Sequence, residues 1–161
     1  MPDDFKRILV ALAAEEVRYL VVGGMAVIEY GGASFTQDLD LCYERSDGNL
    51  RRLANVLVTL KAALRGAPPG LPFKPDAPTL KAGLNFTLTT EAGDLDILGE
   101  LEGVGGYEDL AARATRAAIY GVRVRVIGQE DLIRATKAAG RPKVKLHLLE
   151  LEELKKLRKR S

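Results

Sequence analysis

Residues 38–43, Asp-Leu-Asp-Leu-Cys-Tyr, alternate carboxylates with leucines at the period of a β-strand. Asp38, Asp40 and Cys42 then share one face, and Leu39, Leu41 and Tyr43 the other. Two carboxylates about 7 Å apart on one strand face repel each other, and burying both unpaired is costly. Such a strand cannot be covered by apolar layers on both sides. One face goes to a core, and the other must meet water or a cation. Mg²⁺ suits that second face, because it prefers carboxylate and water oxygens in an octahedral shell. For an isolated Asp-x-Asp the plainer reading is two solvated side chains at a strand end.

The preceding segment changes the weighing. Val17 to Val22 is a β-branched and aromatic run that stops at Gly23-Gly24, as a buried strand would. Met25 to Tyr30 follows as a short helix closed by Gly31-Gly32. Glycines at such a turn let backbone approach a phosphate, and a helix start offers free N–H groups. Thirteen residues separate Gly24 from Asp38. A phosphate-binding turn followed by a metal-binding strand makes a coherent nucleoside triphosphate site.

The rest of the chain supplies a frame. Phe5, Ile8, Leu9 and Leu12 recur at helical spacing behind Asp3 and Asp4. Ser46-Asp47 caps a long amphipathic helix carrying Leu50, Leu53, Leu57, Leu60 and Leu64. Pro68, Pro69, Pro72, Pro75 and Pro78 make the segment from Gly66 to Thr79 an extended surface loop. Leu84, Phe86 and Leu88 alternate with polar residues, and the Glu91-Ala92-Gly93 turn returns the chain through Asp94 to Leu98 as a hairpin. Tyr107 to Ala112 is helical, and Val122, Val124 and Val126 mark a last strand. Gln129 to Ala139 and Lys145 to Arg158 close the chain as two helices. The order predicts an α/β (α+β) domain with a mixed sheet flanked by helices and a C-terminal helix pair. One domain over 1–161 is expected, with a core to about residue 128.

Composition removes other classes. The 161 residues are 47% apolar and 29% charged, a globular balance. The longest apolar stretch, Tyr19 to Ile28, is interrupted by Gly23 and Gly24, so no membrane span is expected. Pro2, Asp3 and Asp4 do not suit a signal peptide, and a cytoplasmic location is expected. One cysteine and one histidine, Cys42 and His147, leave no basis for a disulfide, a zinc cluster or a Ser/His/Asp triad. Cys42 reads as a small apolar strand residue and His147 as a packed helix residue. Glu44 alternates onto the face of Asp38 and Asp40 but reads as solvated. Residues 141–161 hold eight Lys/Arg against three Glu, whereas the first 140 are net acidic. The basic end fits a phosphate-bearing acceptor or, more plainly, a solvated helix terminus.

Val22-Gly23-Gly24 followed by Asp38-Leu39-Asp40-Leu41 resembles the signature of the DNA polymerase β-like nucleotidyltransferase superfamily. Among its members the chain is most similar to small bacterial minimal nucleotidyltransferases and AbiEii-type toxins. The resemblance implies a third carboxylate on a neighbouring strand, and Asp96 within Gly93-Asp94-Leu95-Asp96-Ile97-Leu98 stands where it is expected. Asp94 shares that face and reads as a solvated residue near the turn. The resemblance extends through Asp131-Leu132-Ile133 and Lys137 to Arg141-Pro142-Lys143, and so implies Lys137 and Arg141 as triphosphate contacts. Thr36 is kept from the Arg-x-Thr-x-Asp pattern of relatives, whereas Ser34 replaces its Arg. Val144 replaces an acidic residue that often follows Arg-Pro-Lys.

What the resemblance implies is metal-dependent nucleotidyl transfer. Asp38, Asp40 and Asp96 would hold two Mg²⁺ ions, with Mn²⁺ as an alternative. Gly23, Gly24, Thr36, Lys137 and Arg141 would meet a nucleoside triphosphate such as ATP. The acceptor would be a hydroxyl of a tRNA-like RNA or of a protein, including an antitoxin partner if the chain is the toxin of a pair. Two other readings stay open: a silent nucleotide- or partner-binding relative, and a nucleic-acid-binding module using the basic C-terminal helix.

Overall fold

In the computed structural model, residues 4–33, 36–68, 72–139 and 151–158 are described. In chain order the elements are α1 (Phe5–Ala14), β1 (Tyr19–Val22), α2 (Gly23–Glu29), β2 (Asp38–Tyr43), α3 (Asp47–Thr59), β3 (Ala63–Leu64) and α4 (Ala77–Ala82). Then come β4 (Asn85–Thr90), β5 (Gly93–Leu98), β6 (Glu100–Leu101), β7 (Gly105–Gly106) and α5 (Tyr107–Ala111). Last are β8 (Thr115–Ile119), β9 (Val122–Val126) and α6 (Gln129–Ala139), with residues 151–158 helical as α7.

Seven strands form one mixed sheet in the order β3-β4-β5-β2-β1-β9-β8. The pairs β2–β5 and β1–β9 are parallel, and the other pairs are antiparallel. Register then assigns the faces. Leu39 pairs with Leu95 and Leu41 with Ile97, and all four are buried in one cluster with α1 and α3. From α1 that cluster takes Phe5, Ile8, Leu9 and Leu12, and from α3 it takes Leu50, Leu53 and Leu57. Asp38 pairs with Asp94 and Asp40 with Asp96, so four carboxylates share the opposite face.

The caps follow the sequence. The Asp4 side chain accepts from Arg7 N at 3.0 Å, and the Ser46 hydroxyl accepts from Asn49 N at 3.3 Å. Asn49 is fully buried and joins the start of β1 to the end of β2. Its Oδ1 accepts from Arg18 N at 2.7 Å, and its Nδ2 donates to Arg18 O at 3.0 Å and Glu44 O at 2.8 Å.

Three expectations are corrected, and one strand is added. The helix expected to run through Leu64 ends at Thr59, because Lys61 is left-handed with φ 53° and the chain then pairs with β4. The proline segment contains α4, started by Asp76 accepting from Thr79 N at 2.9 Å with proline in the first turn. Thr115–Ile119 is a strand, joined to β9 through Tyr120 and Gly121 at φ 51° and 77°. Glu44 is buried and held by Arg18 at 3.1 Å and by Ser46, not solvated. Among the described residues, no helix is long and apolar enough to cross a membrane.

Candidate active site

β1 delivers the chain to the site and stops there. Val22 lies opposite Asp40, and Gly23 turns immediately into α2 at φ 64°. A Cβ on Gly23 would overlap Asp40 Oδ2, so the position needs glycine for both conformation and space. Gly24 continues the first turn, and the capping residue, Val22, provides no side-chain acceptor for that turn's N–H groups.

Asp38, Asp40 and Asp96 each offer a carboxylate oxygen, and the three oxygens lie within 4.8 Å of one another. Asp40 is the most enclosed. Its Oδ1 is buried and has no hydrogen-bond partner. Burial, reinforced by the charges of Asp38 and Asp96, pushes its carboxyl up to about 8. Asp96 is also raised, first by burial, against the opposing pull of Arg65. An orphaned carboxylate oxygen within a three-carboxylate cluster is what a hard divalent cation would satisfy. The donor set fits Mg²⁺ or Mn²⁺.

Sequence reasoning missed Arg65, which reaches across the cluster. Its Nη2 donates to Asp96 Oδ1 at 2.6 Å and to Leu88 O at 2.7 Å. Its Nε lies 3.3 Å from Asp94 Oδ2, and its Nη1 lies 3.8 Å from Asp38 Oδ2. Asp94, read as solvated, is therefore half-exposed and ion-paired. Arg65 N bonds Thr87 O at 3.0 Å, so Arg65 extends β3 onto the face of Thr87 and Asp96, a placement that no local sequence pattern signals. Placing Leu64 in a helix concealed it.

The remaining candidates divide. Thr36 Oγ1 donates to Asp38 O at 2.6 Å, which holds the backbone leading into β2. Lys137 is exposed on α6 and forms no ion pair with the three carboxylates. Arg141 lies outside the described residues, as do Ser34, Lys143, Val144 and His147. Cys42 is buried, and burial pushes its thiol up to about 12, in keeping with an inert apolar role. The basic terminus is partly engaged. Lys155 pairs with Glu130 at 2.7 Å, and Arg158 bonds Gln129 Oε1 at 3.0 Å and lies over the Tyr30 ring.

No protein-family model and no curated protein matches the chain. Solved structures do. The lincosamide antibiotic adenylyltransferase LnuA, bound to lincomycin, superposes with a TM-score of 0.60 at 16% identity, covering 93% of this chain and 95% of that one. The antibiotic-resistance factor ANT(2'')-Ia gives 0.59 at 16% identity, over 93% of this chain and 80% of that one. An antigenic nucleotidyltransferase-like protein from Paracoccidioides brasiliensis gives 0.51 at 16% identity, over 98% and 79%. With its mixed sheet and flanking helices, the chain has the fold of these nucleotidyltransferases.

Proposed function

We propose that the chain is a metal-dependent nucleotidyltransferase, moving a nucleoside monophosphate group from a nucleoside triphosphate to an acceptor hydroxyl. One observation carries this reading: three carboxylates converge beside the Gly23 turn on a fold shared with adenylyltransferases. Asp38, Asp40 and Asp96 would hold divalent metal, Mg²⁺ or Mn²⁺. Bound there, the metal supplies charge to neutralise phosphate oxygens and a leaving pyrophosphate.

The chain's own residues do the rest. The backbone of Gly23 and Gly24 receives phosphate at the start of α2, and Thr36 fixes Asp38 by tying down its carbonyl. The Asp96 carboxylate, with one oxygen held by Arg65, takes the proton of the acceptor hydroxyl. That hydroxyl oxygen bonds to the α-phosphorus, the bond to the bridging oxygen breaks, and pyrophosphate leaves. Lys137 and Arg141 are proposed to meet the triphosphate.

The acceptor is a hydroxyl of RNA or of a protein, with a toxin role toward an antitoxin partner as one setting. The likeness to antibiotic-modifying enzymes adds a small-molecule alcohol to be tried. A second reading, a silent nucleotide-binding relative, is favoured by one observation: Arg65 already pairs with Asp38 and Asp96 and offsets part of their charge.

Incubation with each α-labelled triphosphate, Mg²⁺ and cellular RNA or protein separates the two. Label should enter a product with wild-type protein and fall by about 10²–10³-fold or more in folded Asp38→Ala or Asp40→Ala. Transfer retained in either variant would sink the assignment. Nucleotide binding without any labelled product would favour the silent reading.

A further inference from the structure

The edge of the sheet formed by β9 and β8 carries a second charged feature. Arg116 lies directly opposite Arg125 in the antiparallel register, and Arg123 is two residues from Arg125 on the same face. Like charges placed opposite each other destabilise a strand pair, so this packing is not explained by stability. Arg18 joins them from the start of β1, since the parallel register of Val21 with Val126 brings residue 18 level with residue 123. The four arginines line an open groove of about 730 Å³, with Tyr19 and Tyr107 among its walls and no Asp or Glu lining it.

Two of the arginines are already anchored. Arg125 donates to Ala111 O at 2.6 Å and to Tyr107 Oη at 3.3 Å, while Arg18 pairs with Glu44 at 3.1 Å. Arg116 and Arg123 are exposed, and their side chains make no hydrogen bond or ion pair with any described residue. Two fixed and two free guanidinium groups, with aromatic walls and no lysine, suit phosphate oxygens, which arginine can bind through two parallel N–H donors. Repeated phosphates along one strand match a row of guanidinium groups better than scattered carboxylates on a folded protein.

We propose that this arginine groove binds the phosphodiester backbone of a nucleic-acid strand. The site is distinct from the carboxylate cluster. Four residues along the sheet and two strands across separate Arg123 from Asp40, about 16 Å at ordinary strand spacings. A polymer strand bound in the groove can extend across that gap to the carboxylate cluster. Strand binding does not depend on the transferase reading, whereas the consequence that the acceptor is a nucleic acid rests on it.

The test is fluorescence anisotropy with a labelled 20-nucleotide single-stranded RNA, and a DNA of the same sequence, in chelator. Wild-type and Asp40→Asn protein should bind alike, because no metal or transfer is involved. Arg116→Gln/Arg123→Gln should bind at least ~10-fold more weakly, and its salt slope should flatten by about 1.4, from roughly 0.7 per phosphate contact. Its melting temperature should hold or rise as the repulsion is relieved, and Arg123→Gln alone should give about half the flattening. Unchanged binding by the double variant would overturn the proposal. So would no wild-type binding at low salt, or equal affinity for polyglutamate of matched charge. Wild-type protein that binds the strand but transfers no nucleotide with Mg²⁺ would instead count against the transferase reading.

Discussion

Asp40 concentrates the conflict that makes the site. Its carboxyl faces Gly23 at a distance only glycine permits, one oxygen has no partner, and Asp38 and Asp96 crowd it with like charge. Its ordinary value of 3.8 rises to about 8 in the fold, so the folded form holds a proton that the unfolded chain gives up. Stability of the metal-free protein should therefore fall as pH rises from about 4 to about 8. Thermal melts at pH 5 and pH 8 should show that slope in wild type. In Asp40→Asn the slope should flatten, with a gain of about 1–3 kcal/mol at pH 8, the range for a buried unsatisfied polar group. Arg65 offsets the same charge. Arg65→Ala should lower the metal-free melting temperature, and added Mg²⁺ should restore more stability to it than to wild type. Equal Mg²⁺ stabilisation in both proteins would show that Arg65 does not compete for the cluster.

Elements whose apolar period was unbroken matched the sequence closely. Helix α1 shows Phe5, Ile8, Leu9 and Leu12 buried, and α6 spans Gln129–Ala139 as expected. Boundaries set by backbone conformation were hidden. The leucine spacing continues through Leu60 to Leu64, but Lys61 at φ 53° ends the helix and starts β3. Lys61→Gly should relieve about 1–2 kcal/mol of left-handed backbone cost, offset in part by chain entropy and by the lost exposed pair with Glu91 at 3.2 Å, for a net gain, whereas a lysine inside a continuing helix would lose stability on the same change. Urea titration distinguishes the two. Strand β8 was hidden for another reason: Thr-Arg-Ala-Ala-Ile lacks the alternation that marked β9, and only pairing across Tyr120-Gly121 makes it a strand. Asp38, Asp40 and Gly23 were legible because strand period and a glycine turn are local signals. The contacts of Arg65 join β3 to β2 and β5 across the sheet, and no local pattern encodes that.

Across the whole molecule, one sheet separates two kinds of chemistry. One face packs Leu39, Leu41, Leu95 and Ile97 into the apolar core. The other holds four carboxylates over β2 and β5 and four arginines around β9 and its neighbours. The basic C-terminal residues that stood out in the sequence are partly used to dock α7, with Lys155 on Glu130 and Arg158 on Tyr30 and Gln129. The cations free to meet a partner include Arg116 and Arg123, in the body of a chain whose first 140 residues are net acidic. The central claim, that Asp38, Asp40 and Asp96 form one divalent-cation site, is tested most directly by titrating Mn²⁺ into folded protein at pH 7.5. Saturable binding is expected in wild type, retained in Asp94→Asn and lost in Asp40→Asn and Asp96→Asn. No saturable binding in wild type, or binding unchanged when Asp40 is replaced, would contradict it.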